Sequence, residues 1–163
     1  MIEAVVFDLD GTLVNLPIDY ELLFGEFKKI MKRSELRPLV ETISMTDEAT
    51  RDNVFKAWEK AELAVSGRIA SNETGLGIYR EHKGKRKGLV TLQGRAIVKL
   101  ILRDFDLDFD FIVTREDTLS RVDQILKAAR KLGADKRNVL FVGNTEGDAA
   151  AARQVGCKFL RVK

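Results

Sequence analysis

The sequence predicts an α/β protein: a doubly wound parallel sheet with an inserted α-helical block. Three observations carry that expectation. A short apolar, β-branched run opens the chain. Strand-like and helix-like patterns alternate through its second half, and a purely helical stretch separates the two.

Ile2 to Phe7 is apolar and stops abruptly at Asp8-Leu9-Asp10-Gly11, the mark of a buried strand entering a turn. Tyr20 to Arg33 and Asp47 to Ser66 read as helices, the second with Val54, Trp58, Ala61 and Val65 at helical spacing. Thr46 is the expected N-cap of that helix and Gly67 its expected terminator. Pro38 suits the first turn of a short helix between the two. The lysine-rich run 82–88 reads as a solvated return linker. Leu89 to Thr91 is a strand, and Ala96 to Leu102 a helix with Ile97, Leu100 and Ile101 on one face. Phe109 to Val113 is the next strand. Leu119, Val122, Leu126, Ala129 and Leu132 mark a helix stopped by Gly133. Val139 to Val142, Asp148 to Val155 and Lys158 to Val162 complete the alternation as strand, helix and strand. Strands joined by amphipathic helices imply right-handed crossovers and a sheet covered on both faces. The expected organisation is a core of residues 1–14 and 87–163, with 15–86 as a helical lobe inserted after the first strand.

A chain of 163 residues with 45% hydrophobic content has the size of one domain carrying an insertion. Lys+Arg 28 against Asp+Glu 25 leaves +3, too near balance to favour nucleic acid. The single Cys157 excludes an internal disulfide, and one Cys with one His provides no Cys/His zinc set. No apolar run approaches a membrane span, and acids stand where a signal peptide carries positive charge. The expectation is a cytoplasmic enzyme, monomer or homodimer, with no membrane or nucleic-acid partner.

Asp8 and Asp10 lie two apart at the carboxyl end of the first strand, so both can face the crevice where open α/β sheets bind ligands. Two neighbouring carboxylates call for a cation or a shared proton, and an all-oxygen site suits Mg²⁺. Gly11 permits close backbone approach, and Thr12 adds a hydroxyl. An EF-hand fails on spacing, because Gly11 comes too early. Taken alone, Asp-x-Asp-Gly is also compatible with a capped strand end. A second cluster, Phe141 to Asp148, ends another strand and opens onto the same crevice. A dinucleotide-binding reading of Gly143 and Gly147 is possible, but the acidic ribose ligand expected about 20 residues on would fall beyond Lys163.

Together these residues resemble the haloacid dehalogenase-like (HAD) superfamily, in its phosphatase branch. Val6-Phe7-Asp8-Leu9-Asp10-Gly11-Thr12-Leu13-Val14 matches that family's first motif without a gap. Thr91 ends a hydrophobic strand as the second motif's Ser or Thr does, and Val142 to Asp148 is similar to the fourth, Gly-Asp-Ser-x-x-Asp. The resemblance, nearest to the phosphoglycolate phosphatase-like branch, implies a Rossmannoid core, a helical cap at 15–86 and a Mg²⁺-dependent phosphatase of small phosphorylated metabolites. It implies Asp8 as nucleophile, forming an aspartyl-phosphate, and Asp10 as general acid and base. It places Mg²⁺ among Asp8, Asp10, Asn144 and Asp148, and the phosphoryl oxygens against Gly11, Thr91, Leu92 and Gln93.

Two positions depart from the family pattern. Asn144 stands where the fourth motif has an acid, and Leu119 falls where the third motif supplies Lys. Arg121 is the nearest cation to replace it, against a solvent-facing alternative. These departures support a second reading, a catalytically weak HAD-like protein that binds a ligand or partner and regulates. Trp58 and Phe55 are expected as helix packing, with a pocket wall as the alternative. His82 has no evident partner, and Cys157 is expected to be buried and inert.

Overall fold

The computed structural model describes all residues, Met1–Lys163. Five parallel strands form one sheet: β1 (Ala4–Phe7), β4 (Arg86–Val90), β5 (Phe111–Val113), β6 (Val139–Gly143) and β7 (Lys158–Arg161). Their order across the sheet is β5-β4-β1-β6-β7. Central β1 pairs on both sides, with Phe7 opposite Leu89 and Val142. The chain therefore steps outward from β1 through β4 to β5, then returns to β6 on the other side. That reversal makes a crevice outside the carboxyl ends of the strands.

Helix α5 (Arg95–Asp104) joins β4 to β5, α6 (Arg121–Lys131) joins β5 to β6, and α7 (Glu146–Val155) joins β6 to β7. Alternation along β1 feeds two cores. Val5 and Phe7 pack with Leu89, Ile97 and Ile101, while Ala4 and Val6 pack with Ile125, Ala128 and Ala152. Burying apolar residues on both sheet faces is what makes β1 a continuous hydrophobic run. No helix is long and apolar enough to cross a membrane.

Between β1 and β4 lie α1 (Tyr20–Met31), α2 (Leu39–Ser44), α3 (Glu48–Ala64) and α4 (Glu73–Glu81). A ribbon of β2 (Val14–Asn15) and β3 (Ala70–Ser71), paired antiparallel, brackets the first three helices. Those three build their own core from Leu23, Phe27, Ile43, Val54 and Trp58, which Leu119 joins from the other side. Helix α4 packs elsewhere. Leu76, Ile78 and Tyr79 lie against the sheet, and the Tyr79 ring meets Phe7 and Phe109 edge-on. Packing thus divides segment 15–86 in two, with α4 covering the sheet and residues between β2 and β3 standing apart from it.

Several boundaries differ from expectation. Asp47, not Thr46, caps α3, because its carboxylate accepts from the Thr50 amide. That helix ends at Ala64, and a 3-10 turn over Ser66–Arg68 intervenes before the ribbon. Pro38 is the N-cap of α2. The return linker is shorter than its charge suggests, since β4 begins at Arg86 and Lys87 is buried. The Lys87 ammonium donates to the carbonyls of Lys83 and Lys85 and lies over the Tyr79 ring.

The start of α4 is sewn onto the loop after β1. The Asn72 amide donates to Leu13 O at 2.9 Å, and its side chain donates to Gly11 O at 3.3 Å. A Cβ on Gly75 would stand 1.6 Å from Thr12 O, whereas one on Gly77 would meet nothing within 4 Å. Gly75→Ala must therefore move backbone, at a cost of about 1–3 kcal/mol or more. Gly77→Ala removes a helix glycine and should stabilise by about 0.5–1 kcal/mol. Urea unfolding of both variants checks the pair, with opposite shifts of the midpoint expected.

Candidate active site

The carboxyl end of β1 delivers Asp8 into the crevice, where the residue keeps 5% exposure. Its Oδ1 accepts from Arg121 Nη2 at 2.9 Å, and Thr12 Oγ1 donates to its Oδ2 at 3.3 Å. Arg121 is the first residue of α6, whose cap is Ser120, and it points back across the sheet edge. Its Nε lies 3.1 Å from Asp148 Oδ1, and its Nη1 donates to Gln124 Oε1 at 2.7 Å. One guanidinium thus joins two buried carboxylates, with all three nitrogens engaged. Of the two expectations for Arg121, the inward one describes the fold; Leu119 instead packs with the helices.

Asp148 is set by the start of α7. Thr145 caps this helix, and Asp148 Oδ2 accepts from the amides of Asn144 and Thr145 at 3.1 and 3.2 Å, a capping box. Thr145 rather than Asn144 therefore does the capping. The Asn144 side chain faces the crevice, its Oδ1 3.4 Å from Thr12 Oγ1, whose single proton is shared between this oxygen and Asp8 Oδ2. A Cβ on Gly11 would come within 2.2 Å of Asn144 Nδ2, and Gly11 has φ +82°. Glycine keeps that space open in a left-handed conformation.

Asp10 turns toward the helical block. Its Oδ1 accepts from the Leu16 amide at 2.9 Å, and Tyr20 OH donates to its Oδ2 at 3.1 Å. Burial pushes Asp10 upward, opposed first by the Leu16 amide and then by Tyr20. The Tyr20 hydroxyl is pushed up by burial and by the Asp10 charge, so it stays a donor. Tyr20 was not among the residues expected here, although its place directly after the Asp19 cap fixes it at the start of α1.

A cavity of about 430 Å³ brings together Asp8, Asp10, Leu92, Gln93, Arg121, Asn144 and Asp148. Tyr20, Phe24, Leu39 and Trp58 form its helical wall, so Trp58 is both core and lining while Phe55 is not lining. Gly11 and Thr91 lie behind this surface. The Thr91 hydroxyl donates to Gln93 Oε1 at 2.7 Å and accepts from the Gln93 amide at 3.0 Å, which fixes the loop rather than facing the cavity. Cys157 lies away from the site, its thiol pushed up to about 11 by burial.

A second buried pair supports this loop. Glu62 of α3 meets Arg115 bidentately at 2.8 and 2.9 Å, and both side chains have 0% exposure. Glu62 also accepts from the Gly94 amide, and Arg115 donates to Leu92 O while lying 4.4 Å over the Trp58 ring. Burial raises the Glu62 carboxyl and Arg115 opposes the rise. Neither residue carries a sequence signal beyond its charge.

The donors suit a hard divalent ion. Asp8, Asp148 and the Asn144 amide oxygen could supply an all-oxygen set, with Gly11 leaving room for the Asn144 side chain against the backbone. No three acids cluster around an ion here, since Asn144 is neutral and Asp10 is turned onto Leu16 and Tyr20.

The chain is similar to known proteins in both sequence and fold. The haloacid dehalogenase-like hydrolase pattern covers residues 76–162, more than half of the chain. The chain belongs to that family. Among its relatives, a Bacillus cereus protein named pyrophosphatase PpaX is 28% identical over 178 aligned positions, spanning 96% of this chain and 81% of the relative. A Pseudomonas syringae hydrolase structure superimposes with a TM-score of 0.75 at 20% identity, covering 98% of this chain and 84% of its own. A HAD family enzyme from Bacteroides thetaiotaomicron, solved with magnesium and inorganic phosphate, gives 0.64 at 16% identity over 100% and 95%. At these identities the two structures bear on the fold, and they share the α/β architecture of this HAD-like chain.

Burial pushes Asp8 up to about 6 from 3.8; Arg121 opposes the rise and Asp148 adds to it. A carboxyl raised in the fold binds its proton more tightly folded than unfolded, so ionising it costs stability as pH rises from about 4 to about 6. The melting temperature should carry that fall in metal-free buffer. Asp8→Asn should remove its share of it, and Arg121→Met should extend the fall to higher pH and deepen it, its onset near pH 4 unchanged. Thermal unfolding from pH 4 to pH 8 on the three proteins is the measurement.

Proposed function

We propose that this HAD-like hydrolase is a Mg²⁺-dependent phosphatase that hydrolyses a small phosphorylated metabolite through an aspartyl-phosphate on Asp8. The observation that carries the reading is Asp8 itself, buried at the sheet edge, paired with Arg121, and sharing a cavity with Asp10. The family membership and the pyrophosphatase named among the relatives support phosphoryl chemistry.

In this reading an Asp8 carboxylate oxygen attacks phosphorus in line with the departing oxygen, splitting one difficult step into two. Arg121 turns from Asp8 toward the phosphoryl oxygens as the acyl-phosphate bond consumes the Asp8 charge. The Leu92–Gln93 loop, held by Thr91 and by the Glu62–Arg115 pair, lines the opposite side. Asp10, raised by burial and oriented by Tyr20, donates a proton to the leaving oxygen and then takes one from the attacking water. Asp8, Asp148, Asn144 and the Asp10 backbone carbonyl would hold Mg²⁺. When bound, the ion would neutralise phosphoryl charge and position oxygens. The helices between β2 and β3 serve as the cap, excluding water from the cavity. The cation on Asp8 answers the missing third-motif Lys and so weighs against the regulatory reading.

Asp8→Asn should abolish phosphate release, whereas Asp10→Asn should slow it by about 10²–10⁴. Acid-quench trapping of phosphoenzyme checks the assignment, and a trapped acyl-phosphate on Asp8→Asn protein would overturn it. Asn144→Asp adds a carboxylate to the expected ion shell and should tighten Mg²⁺ by about tenfold, worth about 1.4 kcal/mol. Melting temperature titrated against Mg²⁺ measures this directly, and equal midpoints would remove Asn144 from the shell.

A further inference from the structure

The charges around the crevice restrict what can leave from phosphorus. The inner cavity is lined by three carboxylates, Asp8, Asp10 and Asp148, with Arg121 as the single cation. A larger cavity of about 860 Å³ adjoins it at Leu39, Leu92, Arg121 and Gly147, between α2 and the starts of α6 and α7. Its charged lining adds Glu41 and Asp123 and no further cation. Five carboxylates therefore face one guanidinium, whose three nitrogens already serve Asp8, Asp148 and Gln124. Neutral groups make up the remaining walls, polar ones such as Tyr20, Gln93, Thr145, Ser120 and Gln154 alongside apolar side chains. Phe24, Leu39, Trp58 and Leu92 lie inside, and Val40, Leu119 and Val122 continue outward.

We propose that the substrate is a phosphate monoester whose leaving group is uncharged and apolar, running from Asp8 past Leu39 and Leu92 into the outer cavity. This rests on the phosphatase reading and narrows it. The phosphoryl group meets Arg121 and the proposed Mg²⁺ at Asp8, and beyond the ester oxygen no further cation lines either cavity. An anionic leaving group would lie beyond both cations, beside Asp10, Glu41 and Asp123 with no cation of its own. Pyrophosphate, which leaves as phosphate, and phosphoglycolate, which leaves a carboxylate, are both disfavoured. An alkyl chain instead removes apolar surface on both sides from water. The P–O bonding pair goes to an alkoxide oxygen that takes the Asp10 proton, and the neutral alcohol departs along the apolar wall.

The test compares hexyl phosphate, phosphoglycolate and pyrophosphate as substrates in the presence of Mg²⁺. Binding of hexylphosphonate and methylenediphosphonate, which need no turnover, is measured alongside by calorimetry. The expected result is kcat/KM at least tenfold higher for hexyl phosphate, and tighter binding of hexylphosphonate. From propyl to hexyl phosphate, KM should fall about threefold to fourfold per methylene. Leu39→Lys, which adds a cation where the cavities meet, should shift preference toward pyrophosphate. Equal or better turnover of either anionic substrate, or a KM indifferent to chain length, would overturn the proposal and leave the phosphatase reading standing. Turnover of none of them would end the phosphatase reading. The phosphonates then decide the charge argument alone: preference for hexylphosphonate upholds it, and equal or tighter binding of methylenediphosphonate refutes it.

Discussion

Asp8 and Asp148 can share one crevice because the Arg121 guanidinium stands between them. Each carboxylate is almost wholly buried, and their proximity raises the cost of charging Asp8. Losing one partner of such a buried pair typically costs about 3–5 kcal/mol, so the guanidinium is a structural requirement before it is a chemical one. Its direction is set by α6: Gln124 accepts from Arg121 while donating to Thr91 O and Thr118 O. The same helix pins the end of β4 and the loop that follows. Sheet edge, loop and acid pair are thereby one unit.

The helical block joins this unit by a second buried contact. Glu62 reaches from α3 to the Gly94 amide, and Arg115 reaches to the Leu92 carbonyl, so the two sides exchange hydrogen bonds across one ion pair. Trp58 covers Arg115 and also lines the cavity, so a packing residue of the helical block forms part of the candidate site's wall. With Tyr20 holding Asp10 from α1, the block orients acid and loop alike. A cover that only shielded the crevice would need neither contact.

Much of this was legible in the residues. The abrupt stop of β1 at Asp8, the alternation after Leu89, and the placing of Asp148 follow from local pattern. Arg121 was legible as a nearby cation, but its direction was not, because the side chain of a first helical residue can face either way. Helix α4 was missed: Gly75 and Gly77 depress its helical signal, and only the first is explained by a contact, with Thr12 O. The two-residue strands of the ribbon are too short to carry a period. Glu62 looks like any acid on a charged helix until Arg115, 53 residues away, is brought against it.

The burial of Glu62 and Arg115 also sets how the protein meets its solvent. At 0% exposure, neither side chain is open to dissolved ions, which screen surface charges over about 8 Å at physiological ionic strength. Pairs such as Arg95–Asp117 and Arg153–Glu146, with both members well exposed, fade in brine. The tie between helical block and loop does not. Heating acts in the same direction, since the hydration that a buried pair forgoes becomes less favourable as temperature rises. The joint between the two lobes is thus built to hold in hot or salty surroundings where the surface charges have stopped contributing.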